Sequence, residues 1–270
     1  MRLFHARLDP ALAKKSAALA KTASDEIEQA LDAVTILDED RILRRYVNLV
    51  LSTLRTNYYQ PGADGAPKLV DRMTFDSHID HAVIGLMDPA HGPYVHQNWW
   101  WRSTTSQHDK AKAFEAREAG FAMVRHPPST NSYAYRLLGG APATEIVFRL
   151  PGLRWEHIEI GPRQVLSLTC LTPVNEGQTR ITQIMWSDHW AFTLLRPLIA
   201  AAARKFLRQD AAMVNLQNEG LVYDPALLWV DDADRQAKWY QALKREWTAS
   251  RREGRALANP VEGGVLRWRS

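Results

Sequence analysis

The stretch Asp88-Pro-Ala-His91-Gly-Pro-Tyr-Val-His96 sets a carboxylate and two imidazoles within nine residues. Two histidines and one carboxylate are the donors that hold non-haem Fe(II) with neighbouring positions open to dioxygen, whereas a zinc site more often recruits thiolate or a third histidine. His91 and His96 are five residues apart, about 140° around an unbroken helix, so both rings reach one ion only if the chain bends. Gly92-Pro93 predicts that bend, which separates this pattern from the helical His-Glu-x-x-His motif. Asp88, three residues before His91, shares its face wherever the helix continues.

A third ligand must come from elsewhere in the chain. The long helix predicted from Leu198 to Asn218 carries Phe206, Asp210, Met213 and Gln217 on one face, and a carboxylate beside Phe and Met is expected to point inward. Asp210 is therefore the candidate. His126, His157 and His189 lie on or beside predicted strands, where histidines are usually satisfied structurally. Asp188-His189, ending the last of these strands, could face a cavity. Trp99-Trp100-Trp101 reads as packing, with a substrate mouth or a grip on a partner chain as the other reading. Arg251-Arg252 and Arg267-Trp268-Arg269 read as solvated charge.

The elements that position these groups follow from periodicity. Asp9 to about Tyr59 reads as helix, interrupted near Thr35-Ile36-Leu37-Asp38, with Ile42, Leu43, Tyr46, Val47, Val50, Leu51 and Leu54 at helical spacing. Gln60 to Pro67 holds two prolines and two glycines, so a linker is expected over 60–68, between a helical segment 1–68 and a domain 69–270. Met73–Asp80 alternates like a strand, and His81–Met87 reads as buried helix. Gly120–His126, Thr144–Leu150, Trp155–Ile160, Gln164–Leu171 and Thr179–Trp186 are strand-like, with Asn175-Glu-Gly177 as a hairpin connector. Five antiparallel strands followed by a long helix predict an α+β fold in which a curved sheet wraps that helix and leaves a cavity.

Composition narrows the function. The chain has 270 residues, 46% of them hydrophobic, and a formal charge of +4, too mild to argue for nucleic acid. No signal-peptide pattern and no run of roughly 20 apolar residues is present, so a cytoplasmic protein without a membrane span is expected. Cys170 is the single cysteine. These residues therefore offer no disulfide and no iron–sulfur cluster of their own, and electrons for redox chemistry must be imported.

Two resemblances add to this reading. Ala30–Val34, Leu37–Arg45, Leu54–Gln60 and Asp64-Gly65 resemble a stretch of the large NAD-specific glutamate dehydrogenases ahead of their catalytic region, up to about Lys68. No nucleotide fingerprint accompanies it. Residues 69–270 resemble the catalytic domain of Rieske-type non-haem iron oxygenases, the branch that includes pheophorbide and vanillate-type enzymes. The motif from Asp88 to His96, Leu207-Arg-Gln-Asp210 with Gln217, and Trp239-Tyr240, Leu243, Trp247 and Asn259-Pro260 carry the likeness.

That resemblance implies a helix-grip fold, a mononuclear Fe(II) held by His91, His96 and Asp210, and dioxygen as co-substrate. It gives Asp88 the catalytic role of the carboxylate that hydrogen-bonds a ligand imidazole and leads towards a neighbouring cluster. The family's asparagine just ahead of the motif is replaced within Ile84-Gly85-Leu86-Met87, and the glutamate-dehydrogenase-like segment stands where a Rieske domain is expected. The expectation is an oxygenase that hydroxylates or demethylates an aromatic or apolar substrate, with a Rieske protein or ferredoxin and a reductase acting in trans, and a homotrimer as its assembly. The alternative is a helix-grip ligand-binding module, a fusion or truncation remnant without oxygenase activity.

Overall fold

The computed structural model describes residues 66–98, 107–128, 141–226 and 228–270. Its contacts divide the chain into Met1–Pro67 and Lys68–Ser270, and every described helix and strand belongs to the second unit. The helices expected before Tyr59, and Trp99-Trp100-Trp101, lie outside the described residues.

The order of elements is β1 (Leu69–Phe75), α1 (Ile79–Met87), α2 (Gly92–Val95), β2 (Asp109–Arg117), β3 (Gly120–His126), β4 (Ala143–Arg149), β5 (Leu153–Ile160), β6 (Arg163–Asn175), β7 (Gln178–Ser187), α3 (Trp190–Leu194), α4 (Arg196–Leu221), α5 (Arg235–Glu253) and β8 (Gly264–Arg269). Among the described residues, eight strands form one sheet in the order β1-β7-β6-β5-β4-β3-β2-β8, and every neighbouring pair is antiparallel. Short turns set the meander. Gly161, at φ +58°, closes the β5–β6 hairpin in a conformation glycine adopts without a Cβ penalty. Asn175 Oδ1 accepts the Gly177 N–H at 2.9 Å in the β6–β7 turn, as Asn-Glu-Gly predicts.

Strands β5, β6 and β7 have buried side chains at consecutive positions, so they read as apolar runs more than as clean alternation. Cross-strand register separates the faces. One face presents Phe75, Ile181, Leu171, Phe148 and Phe121, which join Leu207 and Val214 of α4 and Trp239, Tyr240 and Leu243 of α5 in a single core. The helices therefore cover this face. Trp239 and Tyr240 reach it with tilted and edge-on ring contacts to Phe121 and Phe148, centroids 5.3 and 5.6 Å apart.

Three expectations are corrected. The first strand ends at Phe75, and His78 caps α1 by accepting the Asp80 N–H at 3.2 Å, so Asp80 belongs to the helix. Arg267-Trp268-Arg269 is no free tail: it lies in β8 paired with β2, with both arginines exposed as expected and Trp268 packed against the core. The inward stripe of α4 is Leu207, Ala211 and Val214, while Met213 is 48% exposed and Gln217 is exposed. On a 26-residue helix with apolar residues on several sides, periodicity alone does not choose the face. The helix itself packs on edge strand β1 and on α1.

Candidate metal centre

The histidines stand at the two ends of one helical turn. Helix α1 stops at Met87, Asp88-Pro89-Ala90 turns the chain, and α2 follows with His91 as its N-cap and His96 as its C-cap. The bend thus comes before His91, and Gly92-Pro93 opens the turn, where the missing proline N–H costs nothing. Asp88 therefore shares no helical face with His91. Asp210 comes from the middle of α4, and the three residues bring ligand atoms within 4.8 Å of one another.

The distances are compact. His91 Nε2 and His96 Nε2 are 3.2 Å apart, and Asp210 Oδ1 lies 3.2 Å from His96 Nε2 and 4.0 Å from His91 Nε2. Two bonds of about 2.1 Å meeting at one ion put their donor atoms roughly 3 Å apart.

The opposite ring atoms decide what the cluster is. His91 Nδ1 meets the main-chain carbonyl of Asp88, which only accepts, so Nδ1 carries the proton and Nε2 a lone pair. His96 Nδ1 meets Gln209 Oε1 at 3.2 Å, so in the neutral ring Nε2 again carries the lone pair. Two imidazole lone pairs and a carboxylate oxygen thus face one another. With both rings neutral this is a ligand set, and the residues present fit a divalent metal. Burial holds the His91 imidazole below the ordinary histidine range, and the facing His96 adds to this against the opposing Asp210 carboxylate. The neutral form is the one that binds metal.

Supporting contacts fix the rings. The His96 ring stacks on Phe206, centroids 4.5 Å apart. Lys205 of α4 donates to Asn98 Oδ1, and Asn98 Nδ2 reaches the His96 carbonyl at 3.5 Å, tying the loop after α2 to the ligand helix. Gln209 is missed by sequence reasoning; its only signal there is adjacency to Asp210, since its partner His96 is 113 residues away.

The role expected of the Asp88 carboxylate is altered. It accepts the Ala90 N–H at 2.7 Å, and burial pushes its pKa upward; the Asp88 backbone carbonyl, not the carboxylate, holds the imidazole. A residue next to a turn offers both oxygens, and sequence does not say which one the ring meets. His126 Nδ1 bonds Val124 O, His157 Nε2 bonds Gln164 Oε1, and His189 Nδ1 caps α3, so these three do not join the cluster. Asp188 accepts the Gln164 N–H at 2.6 Å, which engages it in joining β7 to β6.

Known proteins match in two places. A family profile described as the vanillate O-demethylase oxygenase C-terminal domain matches residues 77–249. Another, the catalytic domain of bacterial NAD-glutamate dehydrogenase, matches residues 26–95; this likeness therefore runs beyond Lys68 and is to a catalytic region, not a stretch ahead of one. NAD-specific glutamate dehydrogenase of Pseudomonas aeruginosa is 62% identical over 39 residues, 14% of this chain and 2% of that protein. The Halomonas elongata enzyme is 42% identical over 66 residues, 24% and 4% respectively. The chain thus spans a few hundredths of the curated relatives it matches.

Among solved structures, Pseudomonas putida CBB5 NdmA with caffeine superposes with a TM-score of 0.52 at 11% identity, over 73% of this chain and 57% of that one. Dicamba monooxygenase bound to 3,6-dichlorosalicylic acid gives 0.50 at 17%, over 72% and 65%. These likenesses show the fold, over less than two thirds of either protein.

Proposed function

From the membership of this chain in the Rieske-type oxygenase C-terminal domain family, we propose that residues 69–270 are the catalytic component of an oxygenase whose mononuclear Fe(II) is held by His91, His96 and Asp210. The single observation that carries the reading is the convergence of two Nε2 atoms, on rings whose Nδ1 atoms face acceptors, with one carboxylate oxygen. Bound there, Fe(II) would supply the activation of dioxygen for hydroxylation or demethylation of a small, mainly aromatic or apolar substrate. The chain's own contribution is positional. Asp88 O and Gln209 Oε1 accept hydrogen bonds from the two Nδ1–H groups, and Phe206 fixes the His96 plane. Residues 1–68 are a separate N-terminal segment in this reading, and electrons come from a Rieske protein or ferredoxin with its reductase. A binding module without metal gives the convergence of His91, His96 and Asp210 no role, which disfavours that reading.

Anaerobic titration tests it. Wild type is expected to bind one Fe(II) per chain, and His91→Ala, His96→Ala and Asp210→Ala each to lose it while keeping the far-ultraviolet spectrum of the fold. A wild type that takes up no iron sinks the proposal. Limited proteolysis between residues 60 and 68 is expected to leave the iron with the larger fragment.

A further inference from the structure

The two ligand histidines are held differently. His96 is fixed from α4, where Phe206 stacks on its ring, Gln209 meets its Nδ1 and Asp210 faces its Nε2. His91 is oriented through its Nδ1 bond to the Asp88 carbonyl, so its aim is that of the Asp88-Pro89-Ala90 turn. Two local bonds shape this turn: the Asp88 N–H reaches Ile84 O at 3.1 Å, and the Ala90 N–H reaches Asp88 Oδ1 at 2.7 Å. Pro89 has no N–H, which leaves its carbonyl as its one polar group.

That carbonyl is met from the other end of the sequence. Ser270 Oγ lies 3.4 Å from Pro89 O, across 181 residues. Ser270 is itself firmly placed: it is 2% exposed, and it exchanges two main-chain bonds with His108, at 3.2 and 3.3 Å, which continue the β2–β8 ladder. Its hydroxyl accepts from Lys110 Nζ at 2.8 Å and from Trp268 Nε1 at 3.0 Å. A hydroxyl offers two lone pairs and one proton. With both lone pairs engaged, the proton is left to the Pro89 carbonyl, so the direction of this long bond is imposed.

Resting on the oxygenase reading, we propose that Ser270 is a positioning residue of the metal centre. Its hydroxyl pins the Asp88-Pro89-Ala90 turn to the β2–β8 edge and thereby keeps the Asp88 carbonyl on His91 Nδ1. Asp210 comes from α4, which packs on β1 at the opposite edge of the sheet. The ligand set is thus anchored to both edges, and Ser270 secures the His91 side. A ligand imidazole whose outer acceptor drifts loses both its orientation and its basicity.

The test uses the full chain. Ser270→Ala is expected to weaken Fe(II) binding about fivefold under anaerobic conditions, the worth of one neutral hydrogen bond, and Ser270→Thr, which keeps the hydroxyl, to restore it. Lys110→Met leaves the bond to Pro89 in place and is expected to bind Fe(II) as wild type does. Histidine nitrogen NMR of the metal-free chain, with the rings neutral, supplies a readout that general loosening does not mimic: in Ser270→Ala, His91 is expected to lose part of its Nδ1–H tautomer while His96 keeps its own. The assignment is overturned if Ser270→Ala binds Fe(II) like wild type, if it unfolds, if both histidines change alike, or if Lys110→Met reproduces its effect. A wild type that takes up no iron, with the change confined to His91 intact, overturns the oxygenase reading alone; iron uptake with no such change overturns the role of Ser270 alone.

Discussion

Gln209 accepts a hydrogen bond from His96 Nδ1 and thereby decides which nitrogen of that ring faces Asp210. A ligand imidazole held in one tautomer loses affinity when its outer partner is removed, typically about 10- to 100-fold. Gln209→Leu is therefore expected to weaken Fe(II) binding by that order, measured by competition with a chelator, while Gln209→Glu, which keeps an acceptor, stays close to wild type. Equal losses in both variants would count against the tautomer argument. Asp88 behaves differently: its carbonyl is the group that holds His91, so Asp88→Asn is expected to retain Fe(II) where Asp210→Asn weakens it. The buried Cys170 thiol, pushed up to about 12 by burial, is expected to resist alkylation in the folded chain.

Helix α1 leads into the ligand loop, and a polar contact with α5 sets its position. The Asp80 carboxylate accepts from Tyr240 Oη at 2.7 Å and from Lys244 Nζ at 2.6 Å. Burial pushes Asp80 up, but the bonds from Lys244 and Tyr240 outweigh it and hold the carboxyl below its ordinary value. A depressed carboxyl contributes stability above its unfolded value, about 3.9, and that contribution is lost as pH falls through the folded value. The melting temperature of the wild type is accordingly expected to drop more steeply on acidification below about pH 4 than that of Asp80→Asn. Strand β3 offers a steric counterpart. A Cβ at Gly120 would lie 1.9 Å from Phe148 O, so Gly120→Ala is expected to cost about 1–3 kcal/mol, read as a lower melting temperature. Its place in the ladder opposite Arg149 leaves neither backbone room to yield.

For the whole molecule, the consequence is electronic. The 270 residues hold one cysteine, and a Rieske cluster needs two cysteines and two histidines. On the proposed function, the Fe(II)-loaded chain with dioxygen and substrate is expected to give less than one product per iron, rising to multiple turnovers when a Rieske protein and reductase are added. Multiple turnovers without them would count against the need for a partner. No described helix is long and apolar enough to cross a membrane.

Much of the site is legible in the sequence because its chemistry is local in the chain. His91 and His96 are near neighbours whose types name the metal class, and five of the strands, with the Asn175-Glu-Gly177 turn, announce themselves through apolar content and turn residues. Strands β2 and β8 do not: Asp109–Arg117 and Gly264–Arg269 are rich in charge, and pairing makes them strands, β2 with β3 and β8, β8 with β2. The inward face of α4 is equally hidden, since Leu207, Ala211 and Val214 are selected by what packs on them. Sequence by itself determined the donor types and their spacing. Tertiary structure alone decided that Asp210 reaches His96, that Gln209 orients its ring, and that the Asp88 carbonyl, not its carboxylate, holds His91, because each depends on distances between groups that the chain order leaves free.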